Sequence, residues 1–183
     1  MVAYLKCIEA HCLTTLAARS KAYVCPTCGG LLDVVYDFQI KDPEEVKHTF
    51  LQRRLSNHPL DISGVWRYRE LLPFCDNLSK IVSIQEGNTP IYDAPRCAKY
   101  VGLKKLYLKH QGLNPTGLFK DNGMTTGVTQ ANLMNSKIVA CASTGNTSAS
   151  MAAYAARAGM KAVIFTPDQQ ITFGKLAQSL DYG

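Results

Sequence analysis

Apolar runs and polar loops alternate along the second half of the chain. Apolar runs occupy residues 105–110, 138–142 and 162–166, and each is followed by a polar stretch and then by helical spacing. This βαβαβα order predicts an α/β fold with right-handed crossovers and a parallel sheet. If the first two strands are neighbours, their C-terminal loops share one edge of the sheet, where open α/β sheets bind ligands.

The first half of the chain predicts shorter elements. A helix begins after the capping residue Asp42, with a proline at its first position. Further elements are a short helix at 63–72, a short strand at 80–85 and a helix at 94–100. Trp66 is expected to be a core anchor, because a large indole is more often buried than used to stack a ligand.

The loop after the strand at 105–110 places a lysine at the start of a helix. The sequence Asn-Pro-Thr-Gly at residues 114–117 cannot easily continue a strand, and the helical pattern begins at about Phe119. Lys120 therefore falls in the first helical turn, where the helix dipole disfavours a cation. Such a position suits an amine that must attack a carbonyl.

A second loop, Ser-Thr-Gly-Asn-Thr-Ser at residues 143–148, follows the strand at 138–142. It precedes a helix of small residues that Gly159 is expected to end. We expect Lys120 and Asn146 to face one crevice, where hydroxyl and amide groups at helix N-termini can hold an anion. The alternative for the hydroxyl residues is that they only satisfy the helix N-terminus.

Four cysteines near the N-terminus have the spacing C-x4-C-x12-C-x2-C: Cys7, Cys12, Cys25 and Cys28. Four thiolates in two short loops suit tetrahedral zinc, and they leave no open position for a substrate. The sequence therefore predicts a zinc ribbon with a structural metal, with strands around the second cysteine pair. A ribbon that has lost its metal is the alternative, and His11 is an alternative ligand to Cys12.

Composition and charge exclude several classes of function. The chain has 183 residues and a net charge of +6, from 20 basic and 14 acidic residues that are scattered along it. Nucleic-acid binding would need a clustered basic patch, whereas a modest positive balance suits an enzyme of phosphorylated ligands. No apolar leader or membrane span is visible, so we expect a cytoplasmic protein without a disulfide framework. Cys141 is expected to fill a buried strand.

The two loops together resemble a known family. Residues 114–121 (NPTGLFKD) and 143–148 (STGNTS) are similar to the threonine synthases, pyridoxal-phosphate enzymes of the tryptophan-synthase-β-like fold, fold type II. The segments at 66–71, 86–90 and 174–178 also resemble this family. The resemblance extends from about residue 64 to the end of the chain.

Two residues depart from the family pattern, because Leu118 stands where relatives often have serine and Asn122 where many have arginine. Family members are longer than this chain. We therefore expect a zinc-ribbon-like segment at 1–38 and the N-terminal part of the enzyme domain at 39–183, without the C-terminal half and inactive alone. The resemblance also implies a homodimer.

The resemblance implies a role for each loop. Lys120 would be the Schiff-base lysine and would move protons, Asn146 would hydrogen-bond the cofactor's 3-hydroxyl group, and Phe119 would pack near its ring. Three loop residues would hold the substrate carboxylate: Ser143, Thr144 and Thr147. The implied reaction converts O-phospho-L-homoserine and water to L-threonine and phosphate.

Other functions have to be weighed against this one. A threonine or serine ammonia-lyase, or a cysteate synthase, would share Lys120 and the asparagine loop. A nicotinamide-binding Rossmann domain would need a G-x-G-x-x-G sequence after a strand, which is absent. A zinc-ribbon module that binds nucleic acid would leave both loops unexplained.

Overall fold

The computed structural model describes residues 3–38, 40, 42–143, 145–166 and 173–182. The strands in these ranges are β1 Ala3–Cys7, β2 Thr15–Ala17, β3 Leu32–Tyr36, β4 Ile91–Asp93, β5 Tyr107–Lys109, β6 Ile138–Ala142 and β7 Lys161–Phe165. The α-helices are α1 Pro43–Arg53, α2 Pro59–Ile62, α3 Pro95–Tyr100, α4 Asp121–Leu133, α5 Asn146–Arg157 and α6 Phe173–Asp181. Short 3-10 helices are Trp66–Leu71, Leu78–Lys80 and Gln111–Leu113. A bilayer could not be crossed by any helix in the described ranges.

The first three strands form an antiparallel sheet in the order β2-β1-β3. Its register places Leu5 opposite Leu16 on one side and opposite Val34 on the other. An isolated bridge joins Val24 to Leu31, so the chain pairs on both sides of the second cysteine loop, as predicted. Strands β1 and β2 were not predicted from the sequence, because strands of five and three residues carry little periodicity.

The strands β6 and β7 form a parallel pair, with Ala140 opposite Val163. Helix α5 is the crossover between them, which confirms the predicted βαβ unit. Cys141 on β6 is half-buried, and burial raises the pKa of its thiol. The strand is less buried than predicted, because its residues alternate between half-buried and exposed.

The predicted place of the strand at 105–110 in a parallel sheet is wrong, and among the described residues this strand is not a neighbour of the strand at 138–142. In the structure β5 pairs antiparallel with β4, with Leu108 opposite Tyr92. Helix α3 and Gly102, which has a φ of +74°, turn the chain back between the two strands. Within the described residues the predicted parallel sheet is therefore the β6–β7 pair, and the fold is mixed α/β.

The predicted strand at 80–85 is also wrong. The N–H of Val82 donates to the Thr129 hydroxyl at 2.9 Å, and its carbonyl accepts from the Thr125 hydroxyl at 2.7 Å. Both threonines lie on α4, so this segment bonds to helix side chains where a strand would bond to a neighbouring strand. The predicted helix at 63–72 is a 3-10 helix from Trp66 to Leu71.

Helix ends follow the local sequence closely. The carboxylate of Asp42 accepts a hydrogen bond from the N–H of Glu44 at 2.9 Å and caps α1, as predicted. Helix α5 is followed by Gly159 with a φ of +66°, and the N–H of Met160 donates back to the carbonyl of Ala155 at 2.9 Å. This closure matches the predicted glycine cap.

The core lies where α4 and α5 pack on the segment that precedes the first loop. Five buried residues form its centre: Val82, Val128, Tyr154, Ala155 and Met160. Trp66 is fully buried nearby, and its indole N–H donates to the Thr125 hydroxyl at 2.7 Å, which confirms its role as a core anchor.

The N-terminal sheet packs against α4. The side-chain amide of Gln130 donates to the carbonyl of Ala18 at 2.9 Å, and Arg19 forms an ion pair with Asp76. A mostly apolar cleft of about 320 Å³ lies along this contact. The sheet contributes Leu5, Val34 and Tyr36 to its lining, and the rest of the chain contributes Phe74 and Met134.

Candidate functional site

Lys120 stands at the junction between a loop and α4. After β5 the chain makes one 3-10 turn, reverses direction at Gly117 with a φ of +75°, and enters the helix with Lys120 as N-cap. The lysine side chain is half-buried, and its Nζ lies 4.9 Å from the centroid of the Phe119 ring. Among the described residues, no carboxylate forms an ion pair with this amine.

Asp121, the first residue of α4, is a fully buried carboxylate. Its Oδ2 accepts a hydrogen bond from the N–H of Thr116 at 2.8 Å, and its Oδ1 accepts one from the Thr116 hydroxyl at 2.6 Å. Oδ1 also accepts a hydrogen bond from the Ser150 hydroxyl at 2.6 Å. These donors and the helix N-terminus stabilise the buried charge, and they fix the residue that directly follows Lys120.

The bond between Asp121 and Ser150 sets α4 and α5 side by side. Further along both helices, buried apolar residues of each helix lie in one core cluster. Because the contacts advance in the same direction along both helices, the two N-termini lie at the same end. Lys120 directly precedes Asp121, and Asn146 lies about one helical turn before Ser150. The structure thus brings the loops of Lys120 and Asn146 to one end of the helix pair.

Asn114 holds the lysine loop against the preceding segment. This buried residue accepts a hydrogen bond from the N–H of Gly87 at 2.8 Å through its Oδ1. Its Nδ2 donates to the carbonyl and the side chain of Gln111, at 2.8 and 2.9 Å. All polar atoms of the asparagine side chain are therefore engaged, and they fix the loop before Lys120.

Two glycines allow this close approach. The N–H of Gly64 donates to the carbonyl of Glu86 at 2.7 Å. A Cβ added at Gly64 would lie 2.1 Å from the backbone nitrogen of Asn88, and one added at Gly87 would lie 2.8 Å from the Cα of Gly64. The two backbones therefore touch, and a larger residue at either position would push them apart.

Glu86 is a second fully buried carboxylate, and no role for it was predicted from the sequence. It accepts hydrogen bonds from the Tyr154 hydroxyl at 2.8 Å, the Ser83 hydroxyl at 3.0 Å, the Ile84 N–H at 3.2 Å and the Ser63 hydroxyl. Burial and the nearby negative charge raise the pKa of Tyr154, so its phenol stays protonated and donates. This cluster joins α5 to the segment before the lysine loop.

The second loop leads into α5, whose first residue is Asn146. The Asn146 side chain is exposed, and within the described residues it makes no hydrogen bond. The Ser143 hydroxyl oxygen accepts from the N–H of Gly145 at 3.3 Å, and the Ser148 hydroxyl donates to the carbonyl of Gly145 at 2.6 Å. Ser143 therefore makes a local loop contact and retains a hydroxyl proton for donation.

The other two predicted hydroxyl residues are Thr147 and Thr144. Thr147 lies in the first turn of α5, is half-buried, and has no side-chain hydrogen bond to a described residue. Thr144 lies outside the described residues.

Asp121 and Ser150 were missed by the sequence reasoning. The available signal was an aspartate directly after the lysine, at a helix start where a negative charge is favoured. Ser150 has no such signal, because serines are common in a helix of small residues and only the fold gives this one a partner.

The four N-terminal cysteines also converge. Their Sγ atoms all lie within 4.8 Å of one another, and this cluster could hold a metal ion. The Sγ atoms of Cys7 and Cys28 are 3.5 Å apart, and those of Cys12 and Cys25 are 3.6 Å apart. Tetrahedral zinc with bonds of about 2.3 Å would separate its sulfurs by about 3.8 Å.

Comparison with known proteins identifies the family. A family model described as "Pyridoxal-phosphate dependent enzyme" matches residues 82–183, which is more than half of the chain. The chain belongs to this family. The matched region contains both loops and the helix pair described above.

Curated relatives of this pyridoxal-phosphate dependent family extend the similarity to the N-terminus. The chain is 47% identical to a threonine synthase of Methanocaldococcus jannaschii over 97% of its length, and 46% identical to a threonine synthase of Methanosarcina acetivorans over 98%. In each case it spans 41% of the relative's length.

A solved structure is similar in fold. The crystal structure of a pyridoxal 5'-phosphate-dependent aspartate racemase matches 81% of this chain and 38% of its own, with a TM-score of 0.50 and 21% identity. At this identity the likeness concerns the fold alone. It supports the α/β fold predicted for the family.

The residues at the shared end of α4 and α5 fit the cofactor that the family name implies. Lys120 offers an amine without a carboxylate partner among the described residues, next to the Phe119 ring. Asn146 offers an exposed amide at the first position of α5. The bonds of Asp121 fix the helix starts that carry these groups, and the α5 N-terminus favours an anion.

Proposed function

We propose that this chain takes part in the reaction of a threonine synthase, which converts O-phospho-L-homoserine and water to L-threonine and phosphate. The observation that carries the proposal is the meeting of the Lys120 and Asn146 loops at one end of α4 and α5, tied by Asp121 and Ser150. Similarity to two threonine synthases along nearly the whole chain supports the choice of substrate.

In this proposal Lys120 holds pyridoxal phosphate through its Nζ. The bound cofactor supplies an electron sink for negative charge that develops on the substrate. The Lys120 amine would also move protons at Cα and Cβ of the substrate. Phe119 packs beside the cofactor ring and shields that side from water.

The start of α5 provides the polar contacts of the proposal. Asn146 orients the cofactor by a hydrogen bond to its 3-hydroxyl group. The hydroxyls of Ser143 and Thr147, with the free N–H groups of the first helical turn, hold the substrate carboxylate. Thr144 is proposed to contribute to the same contact.

Borohydride reduction of the full-length protein with pyridoxal phosphate tests the site. Peptide mapping should place the reduced label on Lys120, and the Lys120→Ala variant should lose both the label and the visible absorption band. Lys104→Ala, which changes an exposed lysine elsewhere, is the matched control and should keep both. A label on another lysine would overturn the assignment.

Two assays separate this function from its alternatives. The proposal expects release of phosphate and formation of threonine from O-phospho-L-homoserine. A threonine or serine ammonia-lyase would form a keto acid from threonine or serine, and a cysteate synthase would need a sulfur nucleophile such as sulfite. Keto-acid formation without phosphate release would favour the lyase.

We also propose that the cysteine cluster binds one zinc ion as a structural site, within a zinc-ribbon-like segment at residues 1–38. The four Sγ atoms have separations close to those of a tetrahedral thiolate site. Three of the four cysteines are buried, which suits a structural role. His11 is exposed, so Cys12 is the better ligand at that position.

Metal analysis of the full-length protein tests the zinc proposal. We expect one zinc per chain, a lower melting temperature after chelation, and charge-transfer bands of four thiolates after cobalt substitution. Cys25→Ser should lose the metal, whereas Cys97→Ser, at an exposed cysteine outside the cluster, should keep it. Retention of zinc in Cys25→Ser would contradict the ligand set.

A cytoplasmic location and assembly as a homodimer remain predictions. Subcellular fractionation would test the first and light scattering of the full-length protein the second. The division of the chain between residues 38 and 39 is also a prediction, which limited proteolysis would test.

A further inference from the structure

A pocket of about 480 Å³ lies on the chain apart from Lys120 and Asn146, neither of which lines it. Among the described residues, its lining contains no carboxylate, three cationic side chains (Arg54, Arg67 and Lys109) and three neutral polar ones (Tyr68, Asn88 and Thr89). The pocket is bounded by the end of α1, the 3-10 helix after it and the β4–β5 pair. A concentration of positive charge in a concave site favours an anionic ligand.

Arg67 is the buried cation of this pocket. It is only 4% exposed. Its Nε donates to the backbone carbonyl of Asp61 at 2.8 Å, and its Nη1 donates to Oδ1 of Asn88 at 3.2 Å. Both partners are neutral oxygens, so the guanidinium charge is buried without a carboxylate partner among the described residues. Burial of an unpaired charge is costly, and a bound anion would remove that cost.

The nearby carboxylates are engaged by other arginines. Asp61 accepts a hydrogen bond from Arg69 at 2.7 Å and lies 3.7 Å from the Nε of Arg53. Glu70 accepts a hydrogen bond from Arg53 at 2.6 Å. Two acids therefore balance two bases in this network, and Arg67 is left as surplus positive charge.

Thr89 gives independent support for a ligand. The residue is 6% exposed, and its hydroxyl Oγ1 is buried without a hydrogen-bond partner among the described residues. Its carbonyl accepts a hydrogen bond from Nζ of Lys109. An unpaired buried hydroxyl costs about 1–3 kcal/mol. Thr89 lines the pocket, so a rotation about its Cα–Cβ bond that turned the hydroxyl towards a ligand oxygen would remove this cost.

We propose that this pocket binds a phosphate-class anion, either inorganic phosphate or the phosphate group of a small ester. The Nη2 of Arg67 has no hydrogen-bond partner among the described residues and can donate to phosphate oxygens, and Lys109 and Arg54 add charge for a dianion. The Thr89 hydroxyl supplies one further hydrogen bond. The volume exceeds what a bare phosphate fills and suits a small organic ligand.

Titration of the full-length protein with inorganic phosphate, at constant ionic strength set by chloride, tests the proposal. The dissociation constant is measured by calorimetry on the unmodified protein and on two variants, Thr89→Val and Lys109→Met. Each variant removes one proposed contact, and we expect each to weaken phosphate binding about tenfold. Lys104→Met is the matched control and should bind as the unmodified protein does.

The Thr89→Val variant also separates loss of phosphate binding from loss of folding. The Thr89 hydroxyl has no partner in the described part of the chain, so the substitution should leave the melting temperature without phosphate unchanged or raised. Glycerol phosphate in place of inorganic phosphate distinguishes the two sources, because tighter binding of the ester assigns the remaining volume to an organic group. Phosphate affinity in both variants equal to that of the unmodified protein, or no phosphate binding by the unmodified protein at millimolar concentration, would overturn the proposal.

This proposal does not depend on the threonine synthase proposal. The same titration in the Lys120→Ala variant should give the same response to Thr89→Val. Loss of the borohydride label from Lys120 would then leave the pocket unaffected, whereas failure of the phosphate titration would leave the lysine assignment unaffected.

Discussion

Asp121 and Ser150 are joined by a hydrogen bond of 2.6 Å that links the first residue of α4 to α5. The carboxylate is fully buried, and it belongs to the residue that directly follows Lys120. The position of the amine relative to the asparagine loop therefore depends on this one contact more than on any contact of the lysine itself.

Ser150→Ala should destabilise the protein. It removes one of the three donors to a buried carboxylate, and we expect a loss of about 1–3 kcal/mol in the free energy of unfolding. Urea denaturation of the full-length protein measures this free energy of unfolding. Ser136→Ala, whose hydroxyl bonds to no described residue, should change stability by less than about 0.5 kcal/mol. Equal values for the two variants would contradict the importance of the contact.

Gly64→Ala should be among the most destabilising single changes in the chain. The added Cβ would lie 2.1 Å from the backbone nitrogen of Asn88, and backbone cannot yield as a side chain can. We expect a loss of about 3–5 kcal/mol or failure to fold. Gly127→Ala, inside α4, places a Cβ with no described atom within 4 Å apart from its own helix, and it should instead stabilise by about 0.5–1 kcal/mol. Thermal melts of the two variants should therefore shift in opposite directions.

Thr125→Val should loosen the packing around the only tryptophan. The Thr125 hydroxyl accepts from the indole of Trp66 and donates to the carbonyl of Val82, each at 2.7 Å. Loss of both bonds leaves two buried polar groups unpaired, at a cost of about 2–4 kcal/mol. The fluorescence of Trp66 reports the change directly, since the chain contains one tryptophan. The Thr126 hydroxyl donates to the carbonyl of Gly123 in its own helix and to no other described residue, so Thr126→Val should leave the emission spectrum unaltered.

Glu70→Gln should reduce the loss of stability in acid. The hydrogen bond from Arg53 holds the pKa of Glu70 below its ordinary value of 4.5. A depressed folded-state pKa means that the carboxylate stabilises the fold above the unfolded value, and that this stabilisation is lost as pH falls through the folded value. Because the side chain is 36% exposed, we expect only about 0.5 kcal/mol.

Unfolding free energies at pH 7 and pH 3 measure this effect. Glu45→Gln, at an exposed glutamate without an ion pair among the described residues, is the control and should retain the acid sensitivity of the unmodified protein. If Glu70→Gln is as acid-sensitive as the control, the ion pair does not contribute.

The sequence predicted elements with strong local signals and missed those set by tertiary contacts. The cap at Asp42 and the glycine after α5 depend on neighbouring residues, so they could be predicted. The pairing of β5 could not, because three exposed residues fit either a parallel or an antiparallel neighbour. The segment around Val82 looked like a strand, but its partners are hydroxyls of α4 that are distant in sequence.

In the candidate site, too, local motifs could be predicted from the sequence and long-range contacts could not. The lysine and asparagine loops were recognised from motifs, and the structure places both at one end of the helix pair. The groups that fix them, Asp121 with Ser150 and Glu86 with Tyr154, depend on long-range contacts that no local pattern shows. The roles of Lys120 and its neighbours stay predictions until the labelling experiment is done.

The hydrogen bond between Gln130 and Ala18 connects the N-terminal sheet to α4, which is distant from it in sequence. Lys120 is the N-cap of this helix, and the sheet contacts it near its C-terminal end. Helix α4 therefore links the N-terminal sheet to the loop that carries the amine.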